Sequence, residues 1–162
     1  MSLDRHHGGW VIVLSFVFSF MLAILPMPAW ASAWRPDWVA MILIYWCLAL
    51  PLRVGVATAW FVGIIHDVLN DTLLGQHALG FVLIAYLAVK FHQQLRLFPV
   101  WQQAIGVFGM VALNQLLGIW IQSIFGYSEM RDSFIFPAFS SLLLWPWFFL
   151  ILGDIQRKYK VV

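Results

Sequence analysis

Charge is what this sequence has least of. Lys, Arg, Asp and Glu make up 10% of its 162 residues, whereas a soluble domain is about a quarter charged. A chain so poor in charge cannot keep a water-facing surface wet, so there is no soluble domain to hold an aqueous active site. The net charge of +2 makes no case for a nucleic-acid partner. Cysteine is down to Cys47 alone, which excludes an internal disulfide and leaves no metal pattern to build on. It reads as a small apolar core residue. Catalytic patterns are missing as well. No serine has a histidine and an acid in register, and there is no glycine-rich phosphate loop or H-E-x-x-H zinc helix. Nor is there a paired-aspartate signature of an intramembrane protease. The chain is therefore expected to be no enzyme and to take no cofactor. Tandem repeats, low-complexity segments and long linkers are also lacking, which points to a single integral membrane domain over residues 1–162.

What fills the sequence instead is apolar: 63% of residues are hydrophobic and the mean hydropathy is +0.88. A helix crossing the hydrocarbon core needs about 20 apolar residues. Candidate spans fall at approximately 10–29, 38–51, 54–69, 78–91, 100–125 and 134–153, giving an all-α polytopic bundle of about six transmembrane helices. The second to fourth are short, so five spans, or one re-entrant segment, is the competing count.

The charges test that count. With both termini cytoplasmic, Arg5, Arg53, Lys90, Arg96, Arg157, Lys158 and Lys160 fall inside, and only Arg35 and Arg131 outside. Asp37, Asp67, Asp71, Glu129 and Asp132 fall outside, against Asp4 and Asp154 inside. This is the asymmetry of the positive-inside rule, and a wrong helix count would scramble it. The basic tail reads as an anchor to anionic lipid or as a contact for a cytoplasmic partner. The start of the chain, with Ala29-Trp30-Ala31-Ser32-Ala33 after an apolar run, resembles a cleavable signal. The run is longer than a typical signal core, and losing it would put the tail on the wrong side, so it is expected to stay as a helix. Of the ten tryptophans, Trp10, Trp30, Trp34, Trp38 and Trp101 lie near span ends, where indoles favour the headgroup layer. Trp145-Pro146-Trp147 lies inside the sixth span, where Pro146 should kink the helix.

Polar groups within the spans are costly and so are candidates for function. In the third span Gly55, Ala59, Gly63 and Asp67 recur every four residues, near one helix face. Small residues there let another backbone come close, which suits either an internal seam or a docking face for a partner helix. A proton relay through Asp67 is weaker, because nothing ionisable lines up below it. His66, Asp67, Asp71 and His77 cluster at one end of the third and fourth spans. Their spacing fits no compact metal motif, so hydrogen bonding that ties off helix ends is expected and no metal. In the fifth span Asn114, Gln115 and Gln122 need partners across the bundle, or would line a small-molecule site. Arg53, Lys90 and Arg96 are the inner-face contact candidates. The segment from Lys90 to Pro99 reads as an interfacial linker that snorkels its basic groups, or as a meeting point for a cytoskeletal partner.

Several strings taken together carry a resemblance. They are Arg35-Pro36-Asp37-Trp38, Leu43-Ile44-Tyr45-Trp46-Cys47-Leu48-Ala49-Leu50-Pro51, Arg53-Val54-Gly55-Val56 and Leu74-Gly75-Gln76-His77-Ala78-Leu79. Lys90-Phe91-His92-Gln93-Gln94-Leu95-Arg96-Leu97-Phe98-Pro99, Trp101-Gln102-Gln103, Leu144-Trp145-Pro146-Trp147 and the basic tail complete the set. They resemble the MreD family of rod shape-determining proteins, in its Gram-negative form. The resemblance implies a bacterial inner-membrane scaffold of the elongasome, the machinery of peptidoglycan synthesis along the cell cylinder. Its implied partners are the bitopic protein MreC, the MreB filament, the glycosyltransferase RodA and its penicillin-binding transpeptidase. It also implies a fold similar to the substrate-binding subunits of energy-coupling-factor transporters, and no catalytic residues. The alternative from the residues alone is a small-molecule or lipid-precursor binding subunit of a membrane transporter.

Overall fold

In a computed structural model that describes residues 8–127 and 134–161, seven helices follow one another and no strand occurs among the described residues. They are α1 (Gly9–Ile24), α2 (Ala29–Ser32), α3 (Trp38–Ala49), α4 (Val56–Leu69), α5 (Gln76–Leu97), α6 (Val100–Ile124) and α7 (Phe136–Lys158). Six correspond to the expected spans, and α2 is a single turn. Among the described residues α5, α6 and α7 are long and apolar enough to cross a membrane, while α1, α3 and α4 are shorter apolar helices. Asp4, Arg5, Glu129, Arg131 and Asp132, all used in the charge count, lie outside the described residues.

The bundle is built round α3. Every residue from Val39 to Leu48 is buried, as befits a helix that is apolar on all sides. Twelve residues give a rod of only ~18 Å, against a hydrocarbon core of ~30 Å. Encased by α1, α5, α6 and α7, it need not match the bilayer. Its two polar handles are met by neighbours: Tyr45 Oη donates to Gln156 Oε1 at 2.8 Å, and Trp46 Nε1 donates to Ser15 Oγ at 2.8 Å. Around this axis α4 packs on α5, α5 on α6 and α6 on α7.

Three helix boundaries differ from the sequence reading. α1 stops at Ile24 because Pro26 and Pro28 cannot continue it. α5 runs on from Lys90 to Leu97, so the presumed linker is two further helical turns. Hydropathy falls there, but no Gly or Pro interrupts until Pro99, and the residue before a proline is pushed out of the α region. α7 likewise carries Arg157 and Lys158 in its last turn and passes through Pro146 without ending.

Consecutive spans run in opposite directions, so charge separates by end. The C-terminal ends of α3, α5 and α7 gather Arg53, Lys90, Arg96, Arg157, Lys158 and Lys160, with Asp154 ion-paired to Arg157. The opposite, acidic end holds Asp37, Asp67 and Asp71, with Arg35.

Candidate functional site

The densest polar chemistry lies at the acidic end, where α5 begins. A helix start leaves four N–H groups without intrahelical partners, and any that is buried needs an acceptor. Gly75, the N-cap of α5, has φ +96° and no capping side chain of its own. The cap comes from α4. Asp67, fully buried, accepts from the backbone N–H of Gly75 at 2.8 Å, of His77 at 3.0 Å and of Ala78 at 3.5 Å. It also accepts from Thr72 Oγ1 at 2.9 Å and His77 Nδ1 at 2.7 Å. A carboxylate at a helix N-terminus is further favoured by the helix dipole.

His66 completes the cluster. Its ring lies 4.5 Å from that of His77 and 5.4 Å from that of Phe81, centroid to centroid, and the Asn70 amide donates to the His66 carbonyl at 2.9 Å. Asp71 takes no part. It occupies the turn after α4 with φ +52° and is exposed. Among the described residues no three His, Cys, Asp or Glu side chains gather as a metal ion would require.

The four-residue stripe of α4 is turned into the bundle. Ala59 is buried, and Gly63 lies directly on the backbone of Ala78 in α5. Gly55 stands apart as the N-cap of α4 in extended backbone, with room for a side chain.

A second network joins α3, α6 and α7. Asp37 caps α3 by accepting from the Ala40 N–H at 3.1 Å, and Asn114 Nδ2 donates to its other oxygen at 3.0 Å. The Asp37 N–H donates to Ser141 Oγ at 3.3 Å. Gly80 of α5 leaves the space that the Asn114 amide fills. Gln122 Nε2 donates to Gln76 Oε1 at 3.4 Å, and Gly118 opens onto Gln76. Gln115 is half-buried and outside these bonds. Sequence reasoning missed Asp37 and Gly80 as members. The signals were an Asp directly before an apolar helix and an isolated glycine inside one.

At the basic end the three contact candidates do not converge. Arg53 lies in the turn between α3 and α4, with one guanidinium nitrogen buried and unpartnered. Lys90 is exposed, its ammonium 5.6 Å from the Tyr86 ring centroid and 5.7 Å from that of Phe91. Arg96, also exposed, borders a pocket of about 160 Å³ with Tyr45, Gln103 and Gln156.

The residues thus form a membrane bundle whose acidic end is knit by matched donors and acceptors. The family described as rod shape-determining protein MreD matches residues 4–155. This chain belongs to the MreD family. A rod shape-determining protein MreD from Haemophilus influenzae is 33% identical over 153 residues, covering 94% of each chain. No solved structure matches the chain. Membership in MreD gives it a role in rod shape determination, carried out by a membrane protein.

Proposed function

We propose that this chain is an inner-membrane scaffold of the elongasome, one integral domain with both termini in the cytoplasm. It holds MreC directly and, with it, MreB, RodA and the penicillin-binding transpeptidase. The observation that carries this reading is how little of the chain is left for aqueous contacts. Only residues 50–55 separate α3 from α4, and only Phe98 and Pro99 separate α5 from α6. Affinity for other proteins then has to come from lateral helix faces and from the basic residues at the helix ends. The basic end supports the cytoplasmic orientation through the positive-inside rule. Six spans also suit the likeness to energy-coupling-factor subunits, which we hold as an architectural proposal.

The transporter alternative would turn Asn114, Gln115 and Gln122 toward a ligand. Asn114 and Gln122 are instead bonded to Asp37 and Gln76, which favours the scaffold.

The test is affinity purification of the tagged protein from native membranes in mild detergent, with quantitative mass spectrometry. Near-stoichiometric MreC, with the polymerase pair at lower levels, is the expected result. Recovery of an ATPase module or a bound small molecule in its place would make the chain a transport subunit. Within the scaffold reading, Arg96→Glu should reduce recovery of cytoplasmic partners and distort cell shape. A variant that changed neither would remove Arg96 from the contact surface.

A further inference from the structure

Between α1 and α7 runs a lateral groove of about 490 Å³ whose floor includes Ile42 of α3. Leu14 and Phe18 stand on one wall and Phe148 and Ile151 on the other. At the basic end it is closed by Trp10, packed edge-to-face on Tyr159 with centroids 5.2 Å apart, and Lys158 stands at the same mouth. We propose that this groove holds one acyl chain of an anionic glycerophospholipid, with the headgroup phosphate set against Lys158.

Three observations select that occupant. The first is length. From Trp10 to Leu22 along α1 is ~18 Å at 1.5 Å per residue, close to the ~15 Å depth of a single leaflet. The groove therefore matches a chain anchored at one face and is too short for an element that crosses the bilayer. The second is the character of the walls. Helices associate in membranes through small residues that let backbones approach. The lining includes no glycine or alanine, and is made of large, branched or aromatic side chains with Ser15 among them. A flexible chain can follow such a surface where a rigid helix cannot. The third is charge. Arg157 is already ion-paired with Asp154, whereas Lys158 has no carboxylate partner among the described residues. It lies beside aromatic rings of the kind that settle at headgroup level.

The site does not depend on which elongation proteins the chain binds. Its test is native mass spectrometry of the full-length protein in detergent, titrated with phosphatidylglycerol and with phosphatidylethanolamine of the same acyl composition. One saturable adduct that prefers phosphatidylglycerol is expected. Lys158→Gln should weaken that adduct about five-fold, the worth of one basic residue at an anionic surface, and weaken the phosphatidylethanolamine adduct less, because the ammonium of that headgroup already offsets its phosphate. Leu14→Trp should fill the groove and remove the adduct for both lipids. Ile151→Trp on the opposite wall does the same independently, should the first variant assemble poorly. Arg96→Gln, at the same end but outside the groove, should leave both lipid adducts as they are.

An adduct that survives both tryptophan variants overturns the proposal. So does a loss at Lys158→Gln no larger than at Arg96→Gln, since the lipid is then a general annular shell. If a partner helix fills the groove, the tryptophan variants will keep the lipid and lose the partner protein, which also overturns it.

Discussion

Gly63 of α4 is seated on Ala78 of α5 so closely that a Cβ at position 63 would meet the Ala78 amide nitrogen at 2.7 Å and its Cβ at 3.0 Å. On an exposed helix, replacing glycine by alanine gains about 1 kcal/mol of propensity. Here the colliding atoms are backbone and cannot rotate aside, so overpacking of about 1–3 kcal/mol wins. Gly63→Ala is expected to lower the thermal midpoint of the purified protein, and Gly63→Leu to block assembly altogether. Gly55→Ala, with its nearest neighbour at 3.8 Å, is the control that should leave the midpoint near the parent's. A Gly63→Leu protein that assembled and complemented normally would show that the α4–α5 seam tolerates separation.

This seam was half legible in the sequence. Spacing by four placed Ala59, Gly63 and Asp67 on one face, but nothing local said that α5 would cover it. The helical class followed from the apolar runs, and most boundaries from Pro26, Pro51 and Pro99. The extension of α5 past Lys90 escaped because hydropathy falls there while helix propensity does not. Asp67 could be read as a polar group at a span end. That it would cap α5 depends on the positive φ of Gly75, which sets the turn and is a tertiary outcome. The Asn114–Asp37 bond joins residues 77 apart, and no periodic pattern encodes such a distance.

Asp67 and His77 should be strongly coupled. Asp67→Ala strips the caps from Gly75 and His77 and leaves the Thr72 hydroxyl only its longer bond, at 3.4 Å, to the carbonyl of residue 67. Unsatisfied buried groups cost about 1–3 kcal/mol each, so this variant should be severely destabilised. Asp67→Asn keeps one acceptor oxygen and should lie between it and the parent. His77→Ala leaves the buried carboxylate without its closest donor. Thermal midpoints of the two single variants and Asp67→Asn/His77→Ala should give a coupling of about 0.5–3 kcal/mol. Additive losses would mean that the contact is geometric only.

Gly80 and Asn114 should show the opposite behaviour, with one change relieving the other. A Cβ at position 80 overlaps the Asn114 amide, with Cγ at 3.0 Å. That amide is held in place by its bond to Asp37. Gly80→Ala alone is therefore expected to destabilise the bundle. Asn114→Ala alone should cost roughly 0.6–2 kcal/mol, the range for a single interhelical bond in a membrane. In the double variant the clash is gone, so the loss should be clearly smaller than the sum. If thermal unfolding in detergent gives strict additivity, Gly80 is not there to make room for Asn114.

Arg35 is the described basic residue at the acidic end, and its charge is engaged rather than free. Its guanidinium donates to the carbonyls of Ala23 and Leu25, which close α1 just before Pro26 and Pro28 interrupt the chain. Carbonyls at a helix C-terminus lack intrahelical partners, and a cation there also meets the negative end of the dipole. The planar fork of arginine can reach both oxygens at once, which a lysine ammonium on a flexible stem does less well. Arg35→Lys should therefore recover only part of what Arg35→Ala loses. Hydrogen exchange should locate the loss in the last turn of α1 and not in α3, whose cap is Asp37. Full rescue by lysine would mean that position 35 supplies charge alone. Uniform deprotection across α1 and α3 would mean that Arg35 acts on the whole acidic end, because the two helices would then open as one unit.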